Sequence, residues 1–437
     1  MLLRLTDEMK EALPIIEALR QSGHEAVFVG GAVRDAVLGL PIHDVDIATS
    51  ALPEHTMALF PKCIPTGLQH GTVTVMQKGV PYEVTTYRVE SQYEGHRKPK
   101  EVVFVQRLDE DLLRRDFTMN AMAIQMSGEL YDPYQGERDL REKRLRCVGD
   151  AGARFQEDAL RMVRAVRFLS AYELAPAMSV WRGLKKHGAL LRHVAMERVQ
   201  AELDKMLGSR SPGRACIWLA SSGLLAFWKE PLPEKILNQV NEALRKARAG
   251  SESAMPDFSL LANVDERWAA LLLAISCGGS EANDILSALR FSNKRSTFIL
   301  QLIACQEKME SAGHLSDHDS IQLKRSWTEA VLRFGEQTAR HWLTVAGSLP
   351  ETRGSLPKST AIYLESVLDE MPVKALKKLA AGGSDLQKHL GLPPGPWLSG
   401  MLNRLLLAVA LGEAANEKDK LLALAKIWSE EDQSHEP

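Results

Sequence analysis

The stretch GGAVRDAVLGLPIHDVDIAT, residues 30–49, predicts the fold around which the rest of this 437-residue chain is arranged. The apolar run Ala26–Val29 comes directly before it and is typical of a buried strand. Two glycines then permit a tight turn, after which Ala32–Leu38 predicts a helix that ends at Gly39. Asp44–Ile47 predicts a second strand. The pattern is therefore strand, glycine turn, helix and strand in immediate succession.

Two acids on the second predicted strand are expected to form a metal site. Side chains alternate along a strand, so Asp44 and Asp46 share one face. Neighbouring carboxylates repel each other unless a positive charge lies between them, and oxygen ligands suit Mg²⁺, which takes further ligands from water and phosphate. The first N–H groups of the helix after Gly30 and Gly31 can bind phosphate oxygens. With Arg34, the stretch predicts a metal–triphosphate site; a plain turn followed by two solvated acids is the alternative.

Length and composition predict two to four globular domains of ordinary apolar and charged content. The chain has 54 basic and 56 acidic side chains, so a nucleic-acid surface must be local. Residues 137–214 hold 17 Lys or Arg against 10 Asp or Glu, a surplus of seven (17 − 10), and a phosphate-backbone partner is expected there. The five scattered cysteines argue against a disulfide framework and structural zinc. Without a signal peptide or a membrane-length apolar run, we expect a cytoplasmic protein that does not bind membranes.

A hairpin is predicted beyond the opening stretch. His70–Gln77 and Pro81–Tyr87 are rich in β-branched residues and flank the turn pair Lys78 and Gly79. Glu83 lies on the second strand of this hairpin and has the chemistry of a third carboxylate beside the two aspartates. Spacing alone does not place it there, and an outward-pointing charged residue is the alternative.

Two further segments of the first domain carry charge. Ser91–Val103, SQYEGHRKPKEVV, is polar and predicts a mobile loop near the site. Leu112–Ala123 contains RRDFTMNAMA, in which Arg114 and Arg115 have the chemistry of a phosphate clamp. Asp116 is suited to bind a ribose hydroxyl or to orient an arginine. An ordinary charged start of a helix is the alternative for this segment.

A mixed sheet is completed by a hairpin of Met122–Met126 with Glu129–Asp132, and strand signals stop from about Gly149. The remaining segments predict helices, which makes the fold class α+β. The predicted helices are Thr6–Ser22, Pro53–Phe60, Phe155–Leu169, Met196–Leu207, Arg214–Phe227, Glu234–Ala249, Glu266–Ser276, Ser280–Leu289, Lys294–Glu310, Asp319–Ala346, Thr360–Leu368, Leu398–Leu411 and Lys418–Trp428.

Phe155–Leu169, FQEDALRMVRAVRFL, is the most regular of these patterns. At about 100° per residue, one narrow stripe is apolar and predicts a buried face. The opposite face carries one acid and three arginines, and Asp158 at the edge of the stripe is a second acid, so three arginines stand against two acids. A salt-bridged, solvated helix is the alternative, but a surplus of positive charge suits a nearby phosphate. The charged residues of the opposite face are Glu157, Arg161, Arg164 and Arg167.

Taken together, GGAVRD with DVDIAT, RRDFTMNAMA and EDALRMVRAVRF resemble the tRNA nucleotidyltransferase and poly(A) polymerase family, in particular class II CCA-adding enzymes of the Bacillus type. The resemblance is specific over about residues 20–170 and looser toward the C-terminus. It implies a polymerase-β-like nucleotidyltransferase head with a small mixed sheet, followed by all-α neck, body and tail domains. The implied boundaries are 1–148 for the head, 149–213 for the nucleotide-selecting neck, 214–315 for the body and 316–437 for the tRNA-binding tail.

The resemblance also implies roles for single residues of this chain. Asp44 and Asp46 match the family's metal-binding acids, and Glu83 matches a third catalytic acid. The implied protein template for the incoming base is the pair Asp158 and Arg161. The segment of residues 91–103 resembles a flexible loop that CC-adding members lack, with Arg97-Lys98 where Arg-Arg is common. The other implied nucleotide contacts are Gly31, Arg34, Arg115, Arg164 and Arg167.

The implied activity is template-independent addition of CCA to the 3′ end of tRNA from CTP and ATP, with Mg²⁺ and release of pyrophosphate. The partners would be the tRNA acceptor arm and 3′ end, and the apolar stripes of the tail are also compatible with a homodimer. Within the enzyme class, A-adding, CC-adding and poly(A)-adding activities are alternatives, although the retained loop argues against CC addition alone. Another class is a catalytically dead tRNA-binding protein, which should lack an acid or a template residue. All of them are present.

Hydrogen-bond chemistry supports the implied template independently. A carboxylate only accepts and a guanidinium only donates. Cytosine and adenine each present an amine donor beside a ring acceptor, which matches Asp158 and Arg161. Uracil and guanine present a carbonyl beside an N–H, which would leave two buried groups unsatisfied at about 1–3 kcal/mol each. One Asp–Arg pair can therefore select C and A without a nucleic-acid template.

Overall fold

The computed structural model describes residues 1–94, 98–248, 255–311 and 321–434. The chain divides into two compact units, Met1–Leu232 and Pro233–Pro437. The finer division into head, neck, body and tail stays a prediction. None of the helices that the structure describes is long and apolar enough to cross a membrane. All five cysteines are unpaired.

The first unit contains a seven-stranded mixed sheet that includes the predicted strands and one further strand, Cys63–Gly67, that was not predicted. The strands of the unit are β1 (Ala26–Val29), β2 (Asp46–Thr49), β3 (Cys63–Gly67), β4 (Thr72–Gln77), β5 (Val80–Thr86), β6 (Arg88–Glu94), β7 (Lys98–Phe104), β8 (Ala123–Ile124), β9 (Leu130–Tyr131), β10 (Arg144–Leu145) and β11 (Ala175–Pro176). The strand order of the mixed sheet is β3-β4-β5-β2-β1-β8-β9, in which β2 and β5 are parallel and the other neighbours are antiparallel.

Helices cover this sheet and continue beyond it, which confirms the α+β fold class. They are α1 (Asp7–Gln21), α2 (Gly31–Leu38), α3 (Pro53–Leu59), α4 (Leu108–Leu113), α5 (Gly136–Arg141), α6 (Ala151–Glu157), α7 (Leu160–Ala171), α8 (Met178–His187), α9 (Met196–Leu207) and α10 (Pro212–Ser222). The short pair of β10 with β11 is an exception to the predicted end of strands at about Gly149.

Three sequence predictions for the first unit are wrong in detail. The second strand begins at Asp46, so Asp44 precedes it and is exposed. The helix predicted over Phe155–Leu169 is two helices, because Asp158 has extended backbone (φ −135°, ψ 105°). The apolar stripe nevertheless continues through the break and is fully buried at Phe155, Ala159, Met162, Val166 and Leu169.

The third error concerns the loop predicted over residues 91–103. Its described parts belong to β6 and β7, which form an antiparallel two-stranded sheet of their own. Main-chain pairing needs no apolar side chains, so a polar segment containing Gly and Pro can still form strands. Residues 95–97 lie outside the described residues, and with them Arg97 of the predicted Arg-Lys pair.

The described residues of the second unit form helices joined by turns and loops, with no strand among them. Its helices are α11 (Glu234–Arg248), α12 (Val264–Ala274), α13 (Gly279–Ala288), α14 (Asn293–Ser311), α15 (Ile321–Phe334), α16 (Glu336–Ser348), α17 (Lys358–Glu370), α18 (Gly383–Leu390), α19 (Pro396–Leu411) and α20 (Lys418–Ser434). The single helix predicted over Asp319–Ala346 is divided, because Gly335 adopts φ 88°. Its first two residues lie outside the described residues. Helices α4, α5, α8 and α18 were not predicted.

Candidate active site

The site is built where β1 ends and α2 begins. Gly30 lies between them with φ 73°, a backbone conformation that other residues rarely adopt. A Cβ atom at Gly30 would lie 3.1 Å from Oδ2 of Asp46 and 3.6 Å from a guanidinium nitrogen of Arg115. A glycine is therefore needed for the start of α2 to come this close to both charged groups.

Asp46 and Glu83 lie side by side on neighbouring parallel strands, in register across β2 and β5. Neither carboxylate has a hydrogen bond or ion pair with another described residue. Burial, followed by the charge of Glu83, raises the pKa of Asp46, and Arg115 offsets part of this effect. Asp44 adds to the repulsion from outside the strand. The acids are arranged so that a cation between them would relieve their repulsion.

The donor set fits a hard divalent cation, which prefers carboxylate oxygens. In the described part of the chain, no three His, Cys, Asp or Glu side chains are close enough to hold a metal ion together. A cation beside Asp46 and Glu83 would therefore need phosphate or water oxygens to complete its coordination. This is the arrangement expected of a cation that arrives with a triphosphate.

Arg115 offers an unsatisfied donor next to the glycine turn. Its NH2 group donates to Asp111 at 3.1 Å and its NH1 group to the carbonyl of Asn120 at 3.4 Å. Its Nε is buried and has no hydrogen-bond partner among the described residues. A buried donor without a partner is costly, and a phosphate oxygen would satisfy it.

Asp116 and Asn120 connect Arg34 on α2 to Arg164 on α7. Its Oδ2 accepts from Nε and NH2 of Arg164 at 2.8 and 2.6 Å, and its Oδ1 accepts from Nδ2 of Asn120 at 3.0 Å. Asn120 in turn accepts from NH1 of Arg34 at 2.7 Å. Burial alone would raise the pKa of Asp116, but Arg164 and Asn120 outweigh it and hold the pKa well below its ordinary value. Asp116 thus orients an arginine, which is one of the two roles predicted for it.

Asp158 is held in one orientation by its neighbours. Its Oδ1 accepts from the backbone N–H of Leu160, the first residue of α7, at 3.1 Å. Arg198 on α9 donates to Oδ2 at 2.8 Å and to Oδ1 at 3.4 Å. A carboxylate can accept about four hydrogen bonds, so Oδ2 keeps one position for a ligand amine.

Arg161 is buried and anchored from the head and from α6. Its NH1 group donates to Glu157 at 2.7 Å, and its NH2 group donates to the carbonyl of Arg114 at 3.1 Å. Arg161 is 8% exposed. The guanidinium is therefore a rigid donor, which suits recognition of a ring acceptor at a fixed distance from Asp158.

A cavity of about 630 Å³ brings these groups together within the first unit. Its size is in the range of sites for small organic ligands. Of the predicted site residues, Asp44 is not among those that line it. Those that line it are Gly31, Arg34, Asp46, Glu83, Arg115, Asp158, Arg161, Arg164 and Arg167.

Several residues that line the cavity were not predicted. Asn120 and Arg198 orient predicted residues from a distance in sequence. Asn120 is in RRDFTMNAMA and could have been noticed there, whereas Arg198 stands in an ordinary helix and has no local signal. Phe168 and Tyr172 form an aromatic wall beside Arg34, with ring centroids 5.5 and 4.5 Å from its Cζ.

Comparison with known proteins identifies the family. The family model for the poly(A) polymerase head domain matches residues 26–146, and one for a probable RNA-binding site of polymerase A matches residues 175–234. A model for domain 2 of tRNA nucleotidyltransferase matches residues 260–425. The CCA-adding enzyme of Geobacillus stearothermophilus is 40% identical over 95% of this chain and 96% of its own length. The chain belongs to the CCA-adding enzyme family.

Solved structures of CCA-adding enzymes agree with this assignment. The crystal structure of the Bacillus stearothermophilus enzyme in complex with CTP matches with a TM-score of 0.85 and 35% identity, over 98% of this chain and 100% of that chain. The Thermotoga maritima enzyme complexed with tRNA matches with a TM-score of 0.63 and 19% identity, over 98% of this chain and 97% of that chain, and shows the shared fold. The predicted fold class and family are confirmed.

Proposed function

We propose that this protein adds CCA to the 3′ end of tRNA from CTP and ATP and releases pyrophosphate. The observation that carries the proposal is the single cavity that holds Asp46 and Glu83 together with Asp158 and Arg161. The acids supply chemistry at a triphosphate, and the Asp–Arg pair supplies a base-reading edge. Their common cavity is what a nucleotide-selecting polymerase without a template requires.

The triphosphate would be bound by groups of the head. The backbone N–H groups at the start of α2, from Gly31 onward, lack partners within the helix and favour anions. Arg34 and the unsatisfied Nε of Arg115 line the same cavity. Arg164 and Arg167 add positive charge from α7. These groups would hold the α-phosphate in place for attack by the tRNA 3′-hydroxyl.

Asp46 and Glu83, with Asp44 nearby, would hold the divalent cation, and we propose that it is Mg²⁺. When bound, such a cation activates the attacking hydroxyl and stabilises the leaving pyrophosphate. Asp46 and Glu83 form a negatively charged site where β2 and β5 run side by side, and Asp44 adds negative charge from outside the strand. Their mutual repulsion favours cation binding over an empty site.

Base choice would depend on Asp158 and Arg161. Asp158 accepts from the amine of cytosine or adenine, and Arg161 donates to the adjacent ring nitrogen. Arg198 and Glu157 hold the pair in place. Uracil and guanine would face both side chains with the wrong polarity, at about 1–3 kcal/mol for each unsatisfied group.

The protein would recognise the tRNA acceptor arm through contacts with its phosphate backbone and through its shape, since A-form duplex is recognised in this way. The local surplus of basic residues in 137–214 is the part of the first unit suited to this contact. We further propose that the protein acts in the cytoplasm, and a homodimer stays a prediction.

The test uses purified full-length protein and tRNA transcripts that end before CCA, after C and after CC. Each transcript is incubated with Mg²⁺ and either CTP or ATP, and the products are sequenced. We expect CTP to extend the first two transcripts and ATP to extend only the third. Addition of A alone, addition of CC alone or an untemplated A tail would each replace the proposal by the corresponding activity. Absence of all addition would favour a tRNA-binding protein without catalysis.

A further inference from the structure

Arg34 is itself held by its neighbour Asp35 on α2 and by Asn120 from a distant segment. Its Nε and NH2 groups donate to the two carboxylate oxygens of Asp35, both at 3.0 Å, and its NH1 group donates to Asn120 at 2.7 Å. Arg34 is 8% exposed. A guanidinium carries five N–H donors, so two of them have no partner among the described residues. These two donors remain for a ligand in the cavity.

Tyr172 touches both members of the Arg34–Asp35 pair. The centre of its ring lies 4.5 Å from Cζ of Arg34, a cation–π distance. Its hydroxyl donates to Oδ1 of Asp35 at 3.1 Å. Burial raises the pKa of Tyr172 to about 12, so the hydroxyl keeps its proton at neutral pH and can donate. Tyr172 therefore fixes the plane of the guanidinium through its face and through its carboxylate partner.

The position of Tyr172 links two parts of the site. It directly follows α7, the helix that carries Arg161 and Arg164, whereas Arg34 lies on α2. The triphosphate-binding arginine is thus braced against the helix that carries a base-selecting residue. Nothing in the local sequence indicates this contact, which joins positions 137 residues apart.

We propose that Tyr172 is a positioning residue that holds Arg34 in the orientation in which it binds the triphosphate of either nucleotide. This inference rests on the proposed function. CTP and ATP carry the same triphosphate, so loss of Tyr172 must affect both nucleotides equally. It must leave base choice unchanged, because Asp158 is oriented by Arg198 and Arg161 by Glu157.

The test compares Tyr172→Leu, which removes the ring, with Tyr172→Phe, which removes only the hydroxyl. The values of KM and kcat are measured for CTP on tRNA ending before CCA and for ATP on tRNA ending in CC. Inhibition by inorganic tripolyphosphate is measured in parallel. We expect Tyr172→Leu to raise both KM values about tenfold, equivalent to about 1.4 kcal/mol, with kcat within about twofold. Tripolyphosphate inhibition should weaken by the same factor, and Tyr172→Phe should show about a threefold effect.

Tyr134→Phe is the matched control. The hydroxyl of Tyr134 donates to the carbonyl of Asp109 at 3.3 Å, and Tyr134 does not line the main cavity. This variant should keep the KM values of the parent. A merely structural role for Tyr172 would lower thermal stability and the active fraction but would leave KM unchanged.

Parent-like KM values in Tyr172→Leu would overturn the inference, and so would a change for one nucleotide only. If the leucine variant does not fold, Tyr172→Phe and Asp35→Asn decide the question by the same KM criterion. If the parent protein adds neither C nor A, the proposed function fails separately. Tripolyphosphate affinity, measured by calorimetry, then still tests Tyr172, and equal affinity in parent and variant would refute its role.

Discussion

Replacing Asp158 by asparagine should weaken the preference for cytidine and adenosine over uridine and guanosine. The substitution keeps the size of the side chain but removes its charge and adds an N–H donor. Asp158 has one accepting position left after Leu160 and Arg198 take the others. The change therefore acts on the hydrogen bond that the exocyclic amine of the base would make.

The size of the effect follows from two contributions. A hydrogen bond to a charged group contributes about 1.5–3 kcal/mol and a neutral one about 0.5–1.5 kcal/mol, so binding of C and A should lose about 1–1.5 kcal/mol. The side-chain amide of the new asparagine can turn its N–H toward the carbonyl of U or G, which removes the penalty of about 1–3 kcal/mol for one unsatisfied buried group. Turning the amide places its N–H against Arg198 and cancels part of that gain. We expect the selectivity to fall by about 2–3 kcal/mol, or about 30- to 150-fold.

The assay measures kcat/KM for each of the four nucleoside triphosphates on tRNA that ends before CCA. Asp150→Asn is the control, because Asp150 is exposed, begins α6 through a 2.7 Å hydrogen bond to Ala153, and lies outside the cavity. It should leave the ratio of C to U addition at the parent value. An unchanged ratio in Asp158→Asn, with normal folding, would refute the template role of Asp158.

Two further predictions concern Asp46 and Asp116, two acids that line the cavity. Asp46→Asn should abolish addition yet raise the melting temperature of the metal-free protein, because it removes a carboxylate that faces Glu83. The raised pKa of Asp46 means that its ionised carboxylate destabilises the parent protein only once the pH has risen through that pKa. The gain in melting temperature should therefore be present at pH 7 and shrink toward pH 4. Equal melting curves for parent and variant at pH 7 would contradict this prediction. Asp116→Ala should lower stability by about 3 kcal/mol, the low end for a broken buried ion pair, because Arg164 keeps 31% of its side chain exposed. The depressed pKa of Asp116 means that this contribution is present above about pH 4 and is lost in strong acid, so the variant and parent should converge there. Arg107→Ala, at an exposed pair, should leave urea unfolding unchanged, and an equal loss in both variants would disprove the buried-pair argument.

Local signals were sufficient for the elements that begin the site. The strand Ala26–Val29 is confirmed with the predicted bounds. A short apolar run that ends at a glycine pair is compatible with few structures other than a buried strand. The turn at Lys78 and Gly79 is confirmed, since both adopt positive φ as a tight hairpin turn requires. Such signals depend on backbone preferences within a few residues, which a single sequence carries completely.

The break at Asp158 shows where such signals are ambiguous. Apolar periodicity continues across it, so the pattern predicts one helix. The break itself is marked by a local contact, the hydrogen bond that Oδ1 of Asp158 accepts from the backbone N–H of Leu160. Apolar periodicity indicates which face of a helix is buried, whereas the hydrogen bond between Leu160 and Asp158 marks where the first helix ends and the second begins.

Tertiary structure alone decided which distant groups meet. The parallel pairing of β2 with β5 places Glu83 beside Asp46, and helix packing places Arg198 on Asp158 and Tyr172 on Arg34. Residue types and local patterns supply candidates for a metal–triphosphate site and a base-reading pair. The distances between these candidate residues depend on strand order and helix packing, which are set by the burial of apolar surface over the whole unit. The sequence around each residue carries no signal for that order or packing.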